Sequence, residues 1–170
     1  TIYKVANKIG TLYKETIDDT LSLLHHDLFQ KAVQILIYSE NIHIYSKGTA
    51  LNIAESFKEK MMKIGKNVYI VSNSNYQRYD VFCVKKQDCV IFISYSGETK
   101  SIIQMARTCV QRQIPFITMT SYGENTLSHM GNAKLYISTR ENLRNNIANF
   151  NSNLSISFLL DILYSAYFSI

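Results

Sequence analysis

Residues 90–99 most constrain the fold, because an apolar run ends there abruptly in hydroxyl residues and one glycine. The run Val90-Ile91-Phe92-Ile93 is β-branched and aromatic, which is typical of a central parallel strand buried on both faces. Apolar residues then recur at helical spacing: Ile102, Ile103, Ala106, Cys109 and Val110. The pattern predicts a strand, a loop and a helix, with the loop at the carboxyl edge of a parallel sheet.

The loop itself, residues 94–99, has the composition of an anion-binding site. Ser94, Ser96 and Thr99 offer hydroxyl donors, and Gly97 allows a close backbone approach to a phosphate. The first turn of a helix adds free N–H groups. We therefore predict a neutral phosphate cradle that requires neither a metal ion nor a lysine. A plainer alternative is that Ser96 or Thr99 caps the helix.

Composition predicts an ordinary globular domain. A chain of 170 residues suits one α/β domain, residues 1–170, with a core that needs no disulfides. The three cysteines, Cys83, Cys89 and Cys109, fall within or beside apolar segments, so we expect reduced, buried thiols and a cytoplasmic location. Neither a signal peptide nor a membrane span is predicted, so no membrane contact is expected. The first residue is Thr1, which suggests a fragment or a processed chain.

The formal net charge of +5 does not by itself predict nucleic-acid binding. The lysines and arginines are scattered and do not cluster with interleaved aromatic residues. We expect no DNA contact through them.

A second strand–loop–helix unit precedes the first. Ile42-His43-Ile44-Tyr45 alternates as a strand and runs into the loop of residues 46–50. The helix that follows is predicted to bury one apolar face and to end at Gly65, a favourable residue after a helix.

The remaining segments complete an α/β pattern. Two helices are predicted over residues 17–37, with Asp27 and Gln30 resembling a capping box where the second begins. His25 and His26 at their junction are expected to lie at a solvated helix end, not to bind metal. Three more strands are predicted at residues 68–71, 116–120 and 135–138, and a final helix around residues 158–167. These elements predict a three-layer α/β/α sandwich with a five-stranded parallel sheet.

The two strand–loop–helix units, the second carrying Ser94-x-Ser96-Gly97-x-Thr99, resemble the sugar-isomerase (SIS) domain, which has a flavodoxin-like topology. The segments 17–21, 63–68, 117–120 and 159–163 resemble in particular the effector-sensing half of RpiR-type transcriptional regulators. The resemblance implies a phosphosugar-binding and dimerising domain of a bacterial regulator of sugar metabolism, without a cofactor. It implies a homodimer or higher homo-oligomer, and DNA binding only through an N-terminal helix-turn-helix domain that nothing in this sequence resembles.

The resemblance also implies a set of ligand-binding residues: Ser46, Gly48, Thr49, Ala50, Ser94, Ser96, Gly97, Thr99 and Glu141. The first loop departs from the family's Gly-x-Gly-x-Ser, since Ser46 stands at its first glycine and Ala50 at its serine. Thr49 could supply the missing hydroxyl if the loop followed another path. The last helix has Ser152-Asn153 where the regulators commonly have Ser-Arg. Asn153 thus replaces an arginine that could lie near the ligand or the dimer partner.

Two other functions remain open. An aldose-ketose phosphosugar isomerase would need a base, for which Glu141 is the best candidate and Glu55 and Glu98 are weaker ones. Each of these glutamates could instead stabilise a helix start through the helix dipole. The second alternative is a dimerisation domain with a vestigial pocket, suggested by Ala50.

Overall fold

The structure, a computed structural model, describes residues 1–139 and 150–170. The helices of this part are α1 (Ile2–Ser22), α2 (His26–Tyr38), α3 (Ala50–Lys63), α4 (Ser74–Asp80), α5 (Lys100–Arg112) and α6 (Phe150–Phe168). The strands are β1 (Asn41–Tyr45), β2 (Asn67–Ile70), β3 (Cys89–Ile93), β4 (Phe116–Ser121) and β5 (Ala133–Ile137). Short 3-10 helices cover Val81–Cys83 and Leu127–His129.

The described strands form one five-stranded parallel sheet in the order β2-β1-β3-β4-β5. β3 lies at the centre, where Ile91 is in register with Ile44 of β1 and with Ile117 of β4. This arrangement confirms the predicted parallel sheet and the flavodoxin-like topology. The order reverses between β1 and β3, and the loops that follow these two strands meet at the carboxyl edge, where open α/β sheets bind ligands.

Side chains of β3 alternate between two apolar cores, one on each face of the sheet. Cys89, Ile91 and Ile93 join a core formed with α2, α3 and α6, whereas Val90 and Phe92 join a core formed with α5. All five residues of β3 are buried, as its continuous apolar sequence predicts. The result is the predicted three-layer sandwich, with α1 packed against α6.

The helix boundaries differ from the predictions at two places. α1 begins at Ile2, so the leading helix is longer than its apolar stripe indicated. α2 begins at His26 with no side-chain cap, and Asp27 lies inside its first turn, so the predicted capping box is wrong. His25 and His26 are both exposed at this helix start, as expected.

The predicted burial of Cys83 is also wrong, and one residue of the apolar pattern of α5 is exposed. Cys83 is exposed because it lies on a 3-10 turn whose buried position is taken by Val81. Val110 is 52% exposed, since α5 meets the sheet through the face that carries Met105, Ala106 and Cys109. Cys89 and Cys109 are buried as predicted, and burial raises the pKa of each thiol to about 12. Within residues 1–139 and 150–170, none of the helices combines the length and apolar content that spanning a bilayer requires.

Candidate ligand-binding site

A cavity of about 180 Å³ lies where the loops after β1 and β3 meet the first turn of α6. Hydroxyl, amide and apolar groups line it, together with one ammonium group. The described lining residues are Ser46, Lys47, Thr49, Ala50, Ile93, Ser94, Tyr95, Thr99, Ser152, Asn153 and Ile156. The two loops singled out from the sequence are therefore brought together at one site.

The first loop, residues 46–49, is fixed to its neighbours by the backbone and side chain of Ser46. The Ser46 hydroxyl donates to the Ile93 carbonyl at 3.0 Å, and Gln77 Nε2 donates to the Ser46 carbonyl at 3.0 Å. Gly48 turns the chain with a φ of 66°, a conformation that favours glycine, but it does not line the cavity. Ala50 begins α3 and does line it, presenting a methyl group.

The second loop, residues 94–99, is closed by its own hydroxyl groups. Ser94 Oγ and Thr99 Oγ1 lie 2.9 Å apart, and the Gly97 N–H donates to Ser94 Oγ at 3.1 Å. Thr99 occupies the cap position of α5, but no side chain caps that helix. The alternative of a helix cap is therefore right in position for Thr99, but neither Thr99 nor Ser96 makes a capping hydrogen bond to α5. The first turn of α5 begins beside the cavity without a side-chain cap.

Ser96 and Gly97 lie outside the cavity lining. Ser96 is exposed, and its hydroxyl accepts a hydrogen bond from the Glu98 N–H at 3.1 Å. Gly97 has a φ of 70°, and a Cβ placed on it would lie 2.0 Å from Asn125 Oδ1. Within the described residues, the glycine thus allows close approach of Asn125, a contact that the sequence did not indicate.

The first turn of α6 closes the third side of the cavity. Ser152 and Asn153 line it, and Thr49 Oγ1 donates to Asn153 Oδ1 at 3.2 Å. Thr49 therefore does reach this site, but its hydroxyl is directed at α6. Sequence reasoning missed Lys47 and Tyr95 as lining residues, although each stands directly after a predicted site serine.

The carboxylates proposed as isomerase bases are not found in the described lining. The Glu98 carboxylate accepts hydrogen bonds from the Thr126 N–H at 2.6 Å and from the Thr126 hydroxyl at 3.0 Å. Both hydrogen bonds lower the pKa of Glu98, and the one from the hydroxyl has the larger effect. Glu55 is exposed on α3 and does not line the cavity. Glu141 lies outside the described residues. Across the described part, no group of His, Cys, Asp and Glu side chains is arranged to hold a metal ion.

Comparison with known proteins identifies the family. The SIS domain family matches residues 35–166, which span both loops, all five described strands and most of α6. The chain belongs to the SIS domain family. The resemblance inferred from the two loops is thereby confirmed.

Solved structures with this SIS fold include regulators and enzymes. The Vibrio vulnificus NanR protein complexed with ManNAc-6P gives a TM-score of 0.87 at 19% identity, over 97% of this chain and 62% of that one. The sugar isomerase domain of an RpiR transcription factor from Sphaerobacter thermophilus gives a TM-score of 0.84 at 12% identity, over 96% of this chain and 89% of that one. A phosphoheptose isomerase from Neisseria gonorrhoeae gives a TM-score of 0.81 at 12% identity, over 98% of this chain and 99% of that one.

Among curated sequences, the chain is similar to HTH-type transcriptional regulators. The Bacillus subtilis HTH-type regulator YbbH, itself uncharacterized, is 23% identical over 150 residues, covering 88% of this chain and 53% of YbbH. A regulator of the same type from Caldanaerobacter subterraneus is 26% identical over 140 residues, covering 82% of this chain and 50% of that protein. The chain thus spans about half the length of these relatives.

Proposed function

We propose that this SIS domain is the effector-binding domain of an RpiR-type transcriptional regulator, and that its effector is a sugar phosphate. The cavity between the two loops carries this proposal. It joins hydroxyl and amide groups, which suit a sugar, to one ammonium group, which suits an anion. NanR, with a TM-score of 0.87, was solved with ManNAc-6P, which is consistent with a ligand of this class.

The absence of a carboxylate or an imidazole from the described lining favours sensing over catalysis. An aldose-ketose isomerase must remove a proton from carbon with a base within hydrogen-bond reach of the substrate, and the bases predicted from this sequence are carboxylates. None of the described residues that line the cavity carries a carboxylate or an imidazole. Isomerisation through Glu141 remains the alternative, favoured by the fold shared with phosphoheptose isomerase.

Binding assays on the purified chain test this function. Calorimetry with glucose 6-phosphate, arabinose 5-phosphate and N-acetylmannosamine 6-phosphate, each paired with its unphosphorylated sugar, should show binding of at least one sugar phosphate in preference to its parent sugar. Each bound compound is then incubated with the protein and followed by NMR. Binding without conversion is the expected result.

Two results would contradict the proposal. Conversion that is lost in Glu141→Gln would establish the isomerase instead. The absence of binding to every sugar phosphate tested would favour the dimerisation domain with a vestigial pocket.

The proposed regulator acts as a cytoplasmic homodimer or higher homo-oligomer. Apolar side chains stay exposed on α1, where Ile2 and Tyr3 are more than four-fifths exposed, and at the end of α6, where Phe168 is 64% exposed. Such residues are available for a second copy of the chain. DNA binding would belong to an N-terminal helix-turn-helix domain, which is consistent with relatives about twice the length of this chain.

Two measurements test the assembly. Light scattering coupled to size exclusion should give a mass at least twice the 19.6 kDa of the chain. A gel-shift assay with operator DNA should show no tight binding by this chain alone. A monomer, or nanomolar sequence-selective DNA binding, would contradict these assignments.

A further inference from the structure

Lys47 is the one charged residue among the described residues that line the cavity. It stands between Ser46, whose hydroxyl is fixed to Ile93, and Gly48, where the chain turns. Lys47 is half-buried in this position. Lys47 is therefore a cationic residue in the described lining of a cavity of about 180 Å³ that also includes residues with hydroxyl and amide groups.

No described carboxylate forms an ion pair with Lys47. Among the described residues, the ion pair that involves a lysine joins Lys60 to Asp161. Glu98, on the second loop, is engaged with Thr126. Burial lowers the pKa of Lys47, and no described anion offsets that effect. An ammonium group that loses hydration without gaining a partner is stabilised when an anion arrives.

The loop hydroxyls have few protons left for a ligand. Ser46 donates to the Ile93 carbonyl and Thr49 donates to Asn153 Oδ1. Ser94 and Thr99 share one hydrogen bond, so one of their two protons remains. Together these four hydroxyls offer one uncommitted donor, whereas an ammonium group carries three. Lys47 therefore offers an anion more uncommitted donors than these four hydroxyls together, and it adds a positive charge.

We propose that Lys47 determines the selection of phosphorylated over neutral sugars, because its ammonium group pairs with the phosphate of the effector. This inference rests on the proposed function and refines it. The sequence alone predicted a phosphate cradle without a lysine, and the geometry adds a cation from the first loop to that cradle. The affinity for a sugar phosphate then depends on charge at residue 47, and the affinity for the parent sugar does not.

The test compares Lys47→Met, Lys47→Arg and the wild-type chain by calorimetry, using the sugar phosphate from the panel above that binds most tightly and its parent sugar. Lys63→Met is the matched control, because Lys63 is an exposed lysine at the far end of α3. We expect Lys47→Met to weaken sugar phosphate binding by about tenfold to a hundredfold, the range for a hydrogen bond to a charged group. The affinity of Lys47→Arg for the sugar phosphate should stay within several-fold of the wild-type affinity. The affinity of Lys63→Met should equal the wild-type affinity.

A second readout separates charge from structure. Raising the salt concentration should weaken sugar phosphate binding in the wild-type chain more steeply than in Lys47→Met, because the removed charge no longer contributes. Affinity for the parent sugar should be the same in both proteins. Thermal unfolding checks that the two proteins are equally folded.

Each contrary outcome has a distinct meaning. Sugar phosphate binding that is unchanged in Lys47→Met overturns the role of Lys47 and leaves the proposed function standing. An equal loss for the sugar phosphate and the parent sugar shows a structural role and also overturns it. If the wild-type chain binds no sugar phosphate at all, the proposed function fails and this inference fails with it.

Discussion

The hydroxyl of Thr20 in α1 lies 2.7 Å from the hydroxyl of Ser155 in α6, although 135 residues separate them in sequence. Thr20 donates its proton to the Thr16 carbonyl at 2.7 Å, so the Ser155 hydroxyl is the donor between the two. Ser155 Oγ in turn accepts a hydrogen bond from the Ser138 N–H at 2.9 Å, just after β5. One buried serine therefore connects the first helix, the last helix and the edge of the sheet.

We expect Ser155→Ala to destabilise the fold by ~1–3 kcal/mol, because a buried backbone N–H loses its acceptor. Thr20→Val keeps the side-chain shape and leaves the N–H of Ser138 paired, so its effect should be smaller, about 1 kcal/mol. Urea unfolding measures both, with Ser165→Ala at an exposed position of α6 as the control. Equal stability of Ser155→Ala and the control would show that this contact contributes nothing.

The glycines of the two loops, Gly48 and Gly97, should tolerate alanine differently. Both have a positive φ, 66° at Gly48 and 70° at Gly97, and a left-handed conformation costs alanine roughly 1–2 kcal/mol. Open space surrounds Gly48, whereas a Cβ on Gly97 would lie 2.0 Å from Asn125 Oδ1. We expect Gly97→Ala to lower the thermal unfolding temperature clearly more than Gly48→Ala does. A similar fall in the unfolding temperature of the two variants would mean that the Asn125 side chain moves away easily.

In the second loop, binding should depend on Thr99 and not on Ser96. Thr99 lines the cavity, whereas the Ser96 hydroxyl binds the Glu98 N–H at the exposed side of the loop. We expect Thr99→Val to weaken sugar phosphate binding by about tenfold or more and Ser96→Ala to leave it within about twofold. Calorimetry on the two variants decides between them. A large loss of sugar phosphate affinity in Ser96→Ala, with none in Thr99→Val, would place the ligand outside the cavity.

The methyl group of Ala50 faces the cavity where the family commonly has a serine. Ala50→Ser should add one hydrogen bond of about 0.5–1.5 kcal/mol, which corresponds to several-fold to roughly tenfold tighter binding. Thr49→Val should weaken binding by less than Ala50→Ser strengthens it, because the Thr49 hydroxyl is already directed at Asn153. Calorimetry with one sugar phosphate measures both. The opposite ranking would mean that Thr49 contacts the ligand directly.

Stability at acid pH should depend on Asp88, far from the cavity at the start of β3. Its carboxylate accepts hydrogen bonds from Asn41 Nδ2 and His43 Nε2, each at 2.9 Å, and from the Lys85 N–H at 3.2 Å. Burial raises the pKa of Asp88, but these hydrogen bonds together outweigh it, and the pKa falls below its ordinary 3.8. The stabilisation is therefore complete above about pH 4 and is lost as the pH falls through the folded-state pKa.

Urea unfolding between pH 6 and pH 2 tests this dependence. Asp88→Asn should be less stable than wild type at pH 6, and the difference should shrink as the pH falls. Asp161→Asn, which removes a half-exposed carboxylate, is the control and should follow the wild-type curve. A constant difference between Asp88→Asn and wild type at every pH would contradict the assignment.

Sequence patterns were sufficient for the fold because the elements have simple periodicities. The unbroken apolar run of β3 predicted a strand buried on both faces, and Gly65 marked the end of α3 with a φ of 86°. Burial at element ends was harder to predict. Cys83 and Val110 both continue apolar patterns, but each points away from the core because neighbouring residues take the buried positions.

The site was predictable only in part, for a related reason. Five residues predicted for ligand binding, Ser46, Thr49, Ala50, Ser94 and Thr99, line the cavity. Ser96 and Gly97 belong to the same motif but face Glu98 and Asn125, and a motif does not specify which of its side chains face inwards. The contact of Thr49 with Asn153 joins residues 104 positions apart, so local sequence could not indicate it.

The parallel sheet also has a consequence for how the chain folds. No two described neighbouring strands can pair through a tight hairpin, because parallel strands require a crossover connection between them. β3 in particular is completed only when β1, far before it, and β4, well after it, have both reached its sides. Its apolar residues can therefore be covered only through contacts that are distant in sequence. Refolding should be slower than for a helical bundle of this size, and the early collapsed states should be prone to aggregation at high protein concentration.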